Sequence, residues 1–218
     1  MKPIIFQLVV AKGIVDTNCY VCACPETRAA AVIDPGAFNP REVQAILGIL
    51  SDHKLNAECI INTHGHFDHV AGDFAIKQAT GAQLLIHEAD APMLKSDKLN
   101  GAVMVGLAFK PVAADSFLAE GQVIAIGKQQ LLVRHTPGHT PGGVSLVGDG
   151  VVFSGDTLFA ASIGRTDLPG GSEEVEVKSI REKLLVLPDE TVVRPGHGPR
   201  TTIGKEKLIN PYLREENC

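Results

Sequence analysis

The sequence predicts an α/β fold. Three observations carry this: short runs rich in apolar and β-branched residues recur along the chain, stretches with helix-type caps and spacing alternate with them in both halves, and Gly- or Pro-containing turns separate the two. Ile4–Val10, residues 18–24 and Ala29–Ile33 read as short strands divided by turn signals at Lys12-Gly13 and Pro25-Glu26-Thr27. A helix is predicted from Asn39-Pro40, with Asn as cap and Pro at the first helical position, carrying Val43, Ile46, Leu47 and Leu50 on one face. Residues 58–62 read as a strand, 63–69 as a loop, and a helix opens near Val70. Asp73–Thr80 reads as a further helix closed by Gly81, residues 82–87 as a strand, and residues 122–154 as several strands. Ser172 is predicted to cap a helix that runs to about Leu187 and stops at Pro188. Residues 94–115, rich in Gly, Ala and Lys, fit either a mobile loop over a functional site or a plain surface connection.

Composition narrows the class of protein. With 218 residues, 44% of them hydrophobic, the chain can bury a substantial core, and no low-complexity stretch marks a linker, so one domain over residues 1–218 is expected. The net charge of −5 is spread along the chain without a basic patch, which argues against a nucleic-acid partner. Met1-Lys2-Pro3 and the residues after it lack the long apolar region and cleavage site of a secretory signal, and no segment is long enough to span a bilayer. A cytoplasmic location is therefore expected. Five cysteines, an odd number, fit reduced thiols better than a disulfide framework, and Cys22 and Cys24 are expected on one face of a strand as small packing residues.

The strongest chemical signal is Thr63-His64-Gly65-His66-Phe67-Asp68-His69. The chain has 8 histidines, and three of them fall here with a carboxylate. Imidazole nitrogen and carboxylate oxygen are the donors that bind zinc and metals of similar hardness, and the crowding is enough for two centres. His64 and His66 can swing to one side of an extended backbone, leaving Asp68 and His69 for a second metal. Further donors are expected just past other apolar runs, and three such places occur. Residues 131–134 lead into His135-Thr136-Pro137-Gly138-His139, residues 151–154 into Gly155-Asp156, and residues 192–194 into Pro195-Gly196-His197. If these strands share a sheet and end on one edge, their turns converge, with Gly letting the backbone approach closely.

This ordered set resembles the metallo-β-lactamase superfamily, whose hallmark is a His-x-His-x-Asp-His loop followed by a later His, an Asp and a final His. The resemblance covers essentially the whole chain. It implies a four-layer αβ/βα sandwich with metals at one edge of the sheets, one metal on His64, His66 and His139, the other on Asp68, His69 and His197, and Asp156 bridging them. Zinc is the expected metal, and iron and manganese accept the same ligands. Two divalent cations, less two carboxylates and a bridging hydroxide, leave a centre of about one positive charge that attracts anions. Hydroxide is available because zinc lowers the pKa of bound water to around 7. It would attack an acyl carbonyl, and Asp68 would act as a catalytic residue by orienting the nucleophile or passing on a proton.

Within that superfamily, Ser154-Gly155-Asp156-Thr157-Leu158-Phe159 and the run from Ser162 to Pro169 resemble the glyoxalase II branch, which hydrolyses glutathione thioesters. So do Thr201-Thr202-Ile203-Gly204 and Asn210-Pro211-Tyr212-Leu213, which are similar to a short bacterial glyoxalase II-like group. The resemblance makes Arg165 a substrate-binding residue for a glutathione carboxylate, in keeping with the bidentate grip of a guanidinium. It implies a small glutathione-derived thioester as substrate and no obligatory protein partner. Full-length glyoxalase II enzymes carry a C-terminal helical extension, whereas only 21 residues follow His197 here, which leaves room for a different thioester range. The alternative enzyme is an iron-dependent persulfide dioxygenase, which would use His64, His139 and Asp156. A non-hydrolytic metal or redox module is the alternative of another class. His53, His87 and His135 lie outside the pattern and are expected to be surface or packing residues. Asp34, in Asp34-Pro35-Gly36, reads equally as a support for a ligand histidine or as a turn residue.

Overall fold

The apolar runs pair into two six-stranded mixed sheets. The computed structural model describes residues 2–107 and 110–214. The first sheet takes β1 (Ile4–Val10), β2 (Thr17–Ala23), β3 (Ala29–Ile33), β4 (Asn56–Ile61), β5 (Gln83–His87) and β6 (Ser116–Leu118) in chain order. β1 to β3 are antiparallel, and β3 to β6 run parallel. The second sheet holds β7 (Val123–Ile126), β8 (Gln129–His135), β9 (Val144–Gly148) and β10 (Val151–Gly155) as an antiparallel meander. After a small hairpin of β11 (Leu158–Phe159) and β12 (Ser162–Ile163), β13 (Val192–Pro195) joins beside β10 in parallel, with β14 (Thr201–Thr202) outside it.

Side-chain alternation builds the layers. Along β2, Cys19, Val21 and Ala23 face outward to helices while Tyr20 and Cys22 face the opposite sheet. The inner layer joins residues of both sheets, among them Ile33, Ile61, Val133, Leu146 and Phe153, with the Tyr20 and Phe153 rings 5.2 Å apart. Each such large apolar side chain contributes about 1.5–3 kcal/mol by leaving water. Outside the first sheet pack α1 (Pro40–Asp52), the short α2 (Phe67–Val70) and α3 (Asp73–Thr80), through Ile46, Leu50, Val70 and Ile76. Outside the second pack α4 (Glu173–Ser179), its π-helical continuation at residues 180–184, and α5 (Ile203–Ile209), through Ile180, Leu184 and Ile203. The result is the four-layer αβ/βα sandwich.

Local chemistry sets the helix ends. Asn39 accepts from the backbone N–H groups of Arg41 and Glu42, and Pro40 opens α1, as the sequence predicts. Gly81 closes α3 in the left-handed region at φ 73°. Ser172 caps α4, accepting from Val175 N–H. Two boundaries differ from the sequence reading. The helical run after Ser172 ends at Leu184, because its last turn widens to π geometry. Helical geometry in the His-rich segment begins at Phe67 rather than near Val70, so Asp68 and His69 sit on a helical turn while His64 to His66 remain extended or turn.

The cysteines pack as expected in part. Cys19, Cys22, Cys24 and Cys59 are free and buried, whereas Cys24 lies past the end of β2 in the turn to β3, not on a shared strand face with Cys22. Cys218 lies outside the described residues. No helix among the described residues is long and apolar enough to cross a membrane.

Candidate metal centre

Strand direction brings the donors together. β8 and β10 are both antiparallel to β9, and β13 is parallel to β10, so all three end at the same edge of the second sheet. The turns that follow carry His139, Asp156 and His197. The His-rich segment comes from the facing sheet, past β4, so the donors meet across two sheets rather than along one. Short ties close this edge: Val144 N–H donates to Thr63 O at 2.8 Å, Asn18 N–H donates to Gly196 O at 2.6 Å, and Thr17 pairs with His197 in an isolated bridge.

All seven ligand-type residues expected from the sequence lie in this seam. Three sets have donor atoms within 4.8 Å of one another: His64, His66 and His139; His64, His69 and Asp156; and Asp68, His69 and His197. Asp156 sits between the first and last of these, with carboxylate oxygens 3.3 Å from His69 Nε2, 3.2 Å from His197 Nε2 and 3.6 Å from His139 Nε2. Asp68 Oδ2 lies 3.4 Å from His69 Nε2 and 3.3 Å from His197 Nε2. His53 packs at a tilt against Phe6, and His87 and His135 stack on each other 4.2 Å apart, so all three stay outside the cluster.

Buried polar atoms without partners show what the cluster fits. His64 Nε2 is buried and makes no hydrogen bond, and the His69 ring nitrogens and Asp156 Oδ1 are buried and meet only ionic neighbours at 3.1–3.4 Å, outside hydrogen-bond geometry. Leaving such atoms unpaired costs about 1–3 kcal/mol each, and bound cations satisfy them. The donor chemistry and the number of donors fit a dinuclear metal site.

The charge pattern agrees. Burial, with the neighbouring His139, pushes His66 down to about 4, and burial with His69 holds His64 well below the ordinary imidazole value. At the other end burial opposes charge on His197, but Asp156 and Asp68 outweigh it and hold the imidazole up to about 10. His69 is raised in the same way, and Asp156 is lowered by His69 and His197 against its own burial. One end of the seam therefore offers neutral nitrogen lone pairs and the other a pair of carboxylates that demand positive charge.

His139, His197, Asp68 and His69 are each oriented by a second group, and several of these were not legible in sequence. His139 Nδ1 donates to Arg165 O at 2.6 Å, and His197 Nδ1 faces Val15 O at 3.1 Å, which turns both Nε2 atoms into the seam. Thr17 Oγ1 donates to Asp68 Oδ2 at 2.7 Å. Asp34 settles as a supporting residue: its carboxylate accepts from Thr63 N and Oγ1 at 2.7 and 2.8 Å and lies 3.1 Å from His69 Nδ1. Asp90, fully buried, ties two ligand loops by accepting from Gly65 N at 3.0 Å, Thr140 Oγ1 at 2.7 Å and Gly142 N at 2.7 Å. Glu176 of α4 accepts from His139 N at 2.8 Å. Asp90 closely follows the strand β5, the kind of position past an apolar run that also carries Asp156. Thr17 and Glu176 carry no comparable signal.

A cavity of about 290 Å³ opens on the cluster. Its walls include His66, Asp68, His139, Asp156 and His197, and Arg165 with Leu168 and Pro169. Residues 98–101 and Met104-Val105 line it too, so this part of the segment read as residues 94–115 lies over the site. The Arg165 guanidinium is exposed and held by Asp167 through Nε and Nη2, both at 2.8 Å.

The Metallo-beta-lactamase superfamily profile matches residues 13–197. Hydroxyacylglutathione hydrolase GloC of Haemophilus influenzae is 36% identical over 198 residues, covering 88% of this chain and 91% of that protein. Among solved structures, the BLEG-1 B3 metallo-beta-lactamase superposes with a TM-score of 0.90 at 36% identity, covering 97% of this chain and all of that one. TTHA1623 in a di-iron-bound form gives 0.83 at 35% identity, covering 95% of this chain and all of that one. With its sandwich, its seam of histidines and aspartates and these similarities, the chain belongs to the metallo-beta-lactamase superfamily, as a metal-dependent hydrolase.

Proposed function

We propose that the protein hydrolyses S-acylglutathione thioesters such as S-D-lactoylglutathione, with His64, His66 and His139 holding one divalent metal, Asp68, His69 and His197 a second, and Asp156 shared. The observation that carries this reading is the cavity, which opens directly on the ligand cluster and has a guanidinium on its rim. The glutathione part is supported by the name of the Haemophilus influenzae relative. Zinc is the proposed metal, and the di-iron form of TTHA1623 makes iron the first alternative to assay.

Bound metal would supply Lewis acidity and make hydroxide available near neutral pH. The chain supplies position and proton handling. Thr17 fixes Asp68 Oδ2, which leaves Oδ1 to orient a water and accept its proton. Arg165 keeps its Nη1 edge free of Asp167 and uses it to grip a glutathione carboxylate, which sets the thioester carbonyl against the ligand cluster. Neutral His64 and His66 and the anionic Asp68 and Asp156 keep opposite electrostatic characters at the two ends of the seam, so a polarised carbonyl meets a directed field.

The test is hydrolysis of S-D-lactoylglutathione by protein loaded in turn with zinc, iron and manganese, beside the His66→Ala variant. Turnover that disappears in the variant together with bound metal is expected. Absence of thioester turnover in every metal form, with oxygen uptake by the iron form on a glutathione persulfide, would overturn the reading in favour of the dioxygenase that uses His64, His139 and Asp156. Redox-active iron with neither activity would instead mark a non-hydrolytic module.

A further inference from the structure

We propose, building on the thioesterase reading, that the acyl half of the substrate is an extended apolar chain, held on a wall made by Val15, Phe67, Leu99, Met104 and Val105. These residues all line the cavity on the ligand cluster. Four of them are exposed: Val15 at 41%, Leu99 at 56%, Met104 at 74% and Val105 at 42%. Single exposed hydrophobics need no explanation, but a contiguous set at the mouth of a cavity marks a contact surface.

The wall is built on a fixed base. Asn100 and Ala102 beneath it are buried, and Phe67 N–H donates to Asn100 O at 2.9 Å, which ties the segment to the helical turn bearing Asp68 and His69. Asn100 also donates to Met93 O at 3.1 Å and accepts from Ala102 N at 2.9 Å. Gly101 and Gly106, at φ 85° and 67°, bracket the short 3₁₀ turn that presents Met104 and Val105. Phe67 is itself braced by Phe38, their rings stacked 5.6 Å apart. The apolar tips are thus displayed by design of the turn rather than left over from an unpacked loop.

The two ends of the cavity are distinct, and the wall reaches the end away from Arg165 through Val15. Arg165 belongs to the His139 end, since its carbonyl accepts from His139 Nδ1. Val15 belongs to the His197 end, since its carbonyl faces His197 Nδ1. A thioester whose carboxylate-bearing half reaches Arg165 and whose carbonyl lies at the cluster must send its acyl group the other way. Among the described residues that wall offers one charge, Lys98, and a lactoyl group is too short and too polar to cover it.

The experiment compares kcat/KM for S-acetyl-, S-butyryl-, S-hexanoyl- and S-D-lactoylglutathione, and in parallel the binding of S-methyl- and S-hexylglutathione by calorimetry. A fully buried methylene is worth about fourfold. On a partly open wall, about tenfold or more is expected between acetyl and hexanoyl, with S-hexylglutathione binding tighter than the S-methyl compound to a similar degree. Met104→Ser, at a position exposed enough to fold normally, should shrink both ratios. Turnover of the lactoyl or acetyl ester with no gain from chain length, and equal binding of the two thioethers, would overturn this inference and leave the thioesterase reading intact. Failure to cleave any of the esters would remove the thioesterase reading, and the inference would fall with it.

Discussion

Replacement of Asp90 by Ala should destabilise the chain and loosen the metal site together. The carboxylate accepts from two backbone N–H groups, Gly65 and Gly142, and from the Thr140 hydroxyl, all within 3.0 Å and buried. Asp90→Ala strands all three donors, at about 1–3 kcal/mol each, and partial entry of water into the vacated space brings the total to about 3–5 kcal/mol. For a chain of this length that corresponds to a fall in Tm of roughly 6–20 °C. The donors belong to the turns that carry His64 and His66 on one side and His139 on the other, so affinity for the metal proposed to bind these three should fall by about 10–100-fold. Thermal unfolding of the chelator-treated protein reads the first effect, and competition for zinc with a chromogenic chelator reads the second. Asp90→Asn should fail almost as badly, because its amide N–H₂ would confront a backbone donor. A variant within about 1 kcal/mol of the parent, retaining full zinc affinity, would falsify the claim that Asp90 holds the two turns.

Asp167→Ala should free the Arg165 guanidinium and lower KM for a glutathione thioester about threefold, while Arg165→Ala should raise it about tenfold with kcat within a factor of about two; steady-state kinetics that move kcat instead would place Arg165 elsewhere in the reaction. Gly36→Ala would drive a Cβ into the Asp68 carbonyl, so bound metal at the Asp68, His69 and His197 end should be lost and activity should fall about 100-fold or more; a normal metal count by emission spectroscopy would count against the packing described. Asp73 is buried with Asn62 as its partner, and burial raises its pKa well above the ordinary value. Above the unfolded pKa the native chain keeps a proton that the unfolded chain releases, so this group's contribution to stability falls as pH rises toward the folded pKa. Asp73→Asn should therefore flatten the decline of Tm as pH rises above the ordinary carboxylate range, and parallel curves for the two proteins would rule that out.

The clustering of donor side chains was legible because four of them share one short stretch and the others each follow an apolar run by a Gly-containing turn. Such patterns survive in sequence since strand and turn are local. Asp90, Glu176 and Thr17 were not singled out because each acts through a partner distant in the chain: Thr17 is 51 positions from Asp68, and Glu176 is 37 from His139. The same distinction separates the helices. The Asn39 and Ser172 caps were readable from neighbouring residues, whereas the helical state of Asp68 and His69 depends on the pairing of Phe67 with Asn100 and could not be read from the His-rich segment itself. Asp34 shows the intermediate case, a turn residue whose carboxylate gains its role only when β3 and β4 pair and bring Thr63 and His69 to it.

The two sheets are consecutive in the chain, the first ending at Leu118 and the second starting at Val123, yet the donors come from both. Neither half on its own holds a complete set, since His64, His66, Asp68 and His69 lie in the first and His139, Asp156 and His197 in the second. A cation held by any of these donor sets would therefore tie the two halves together, since each set draws donors from both. In a chain cut within residues 119–122, the two fragments would still share the apolar inner layer, and free metal would raise their affinity for each other.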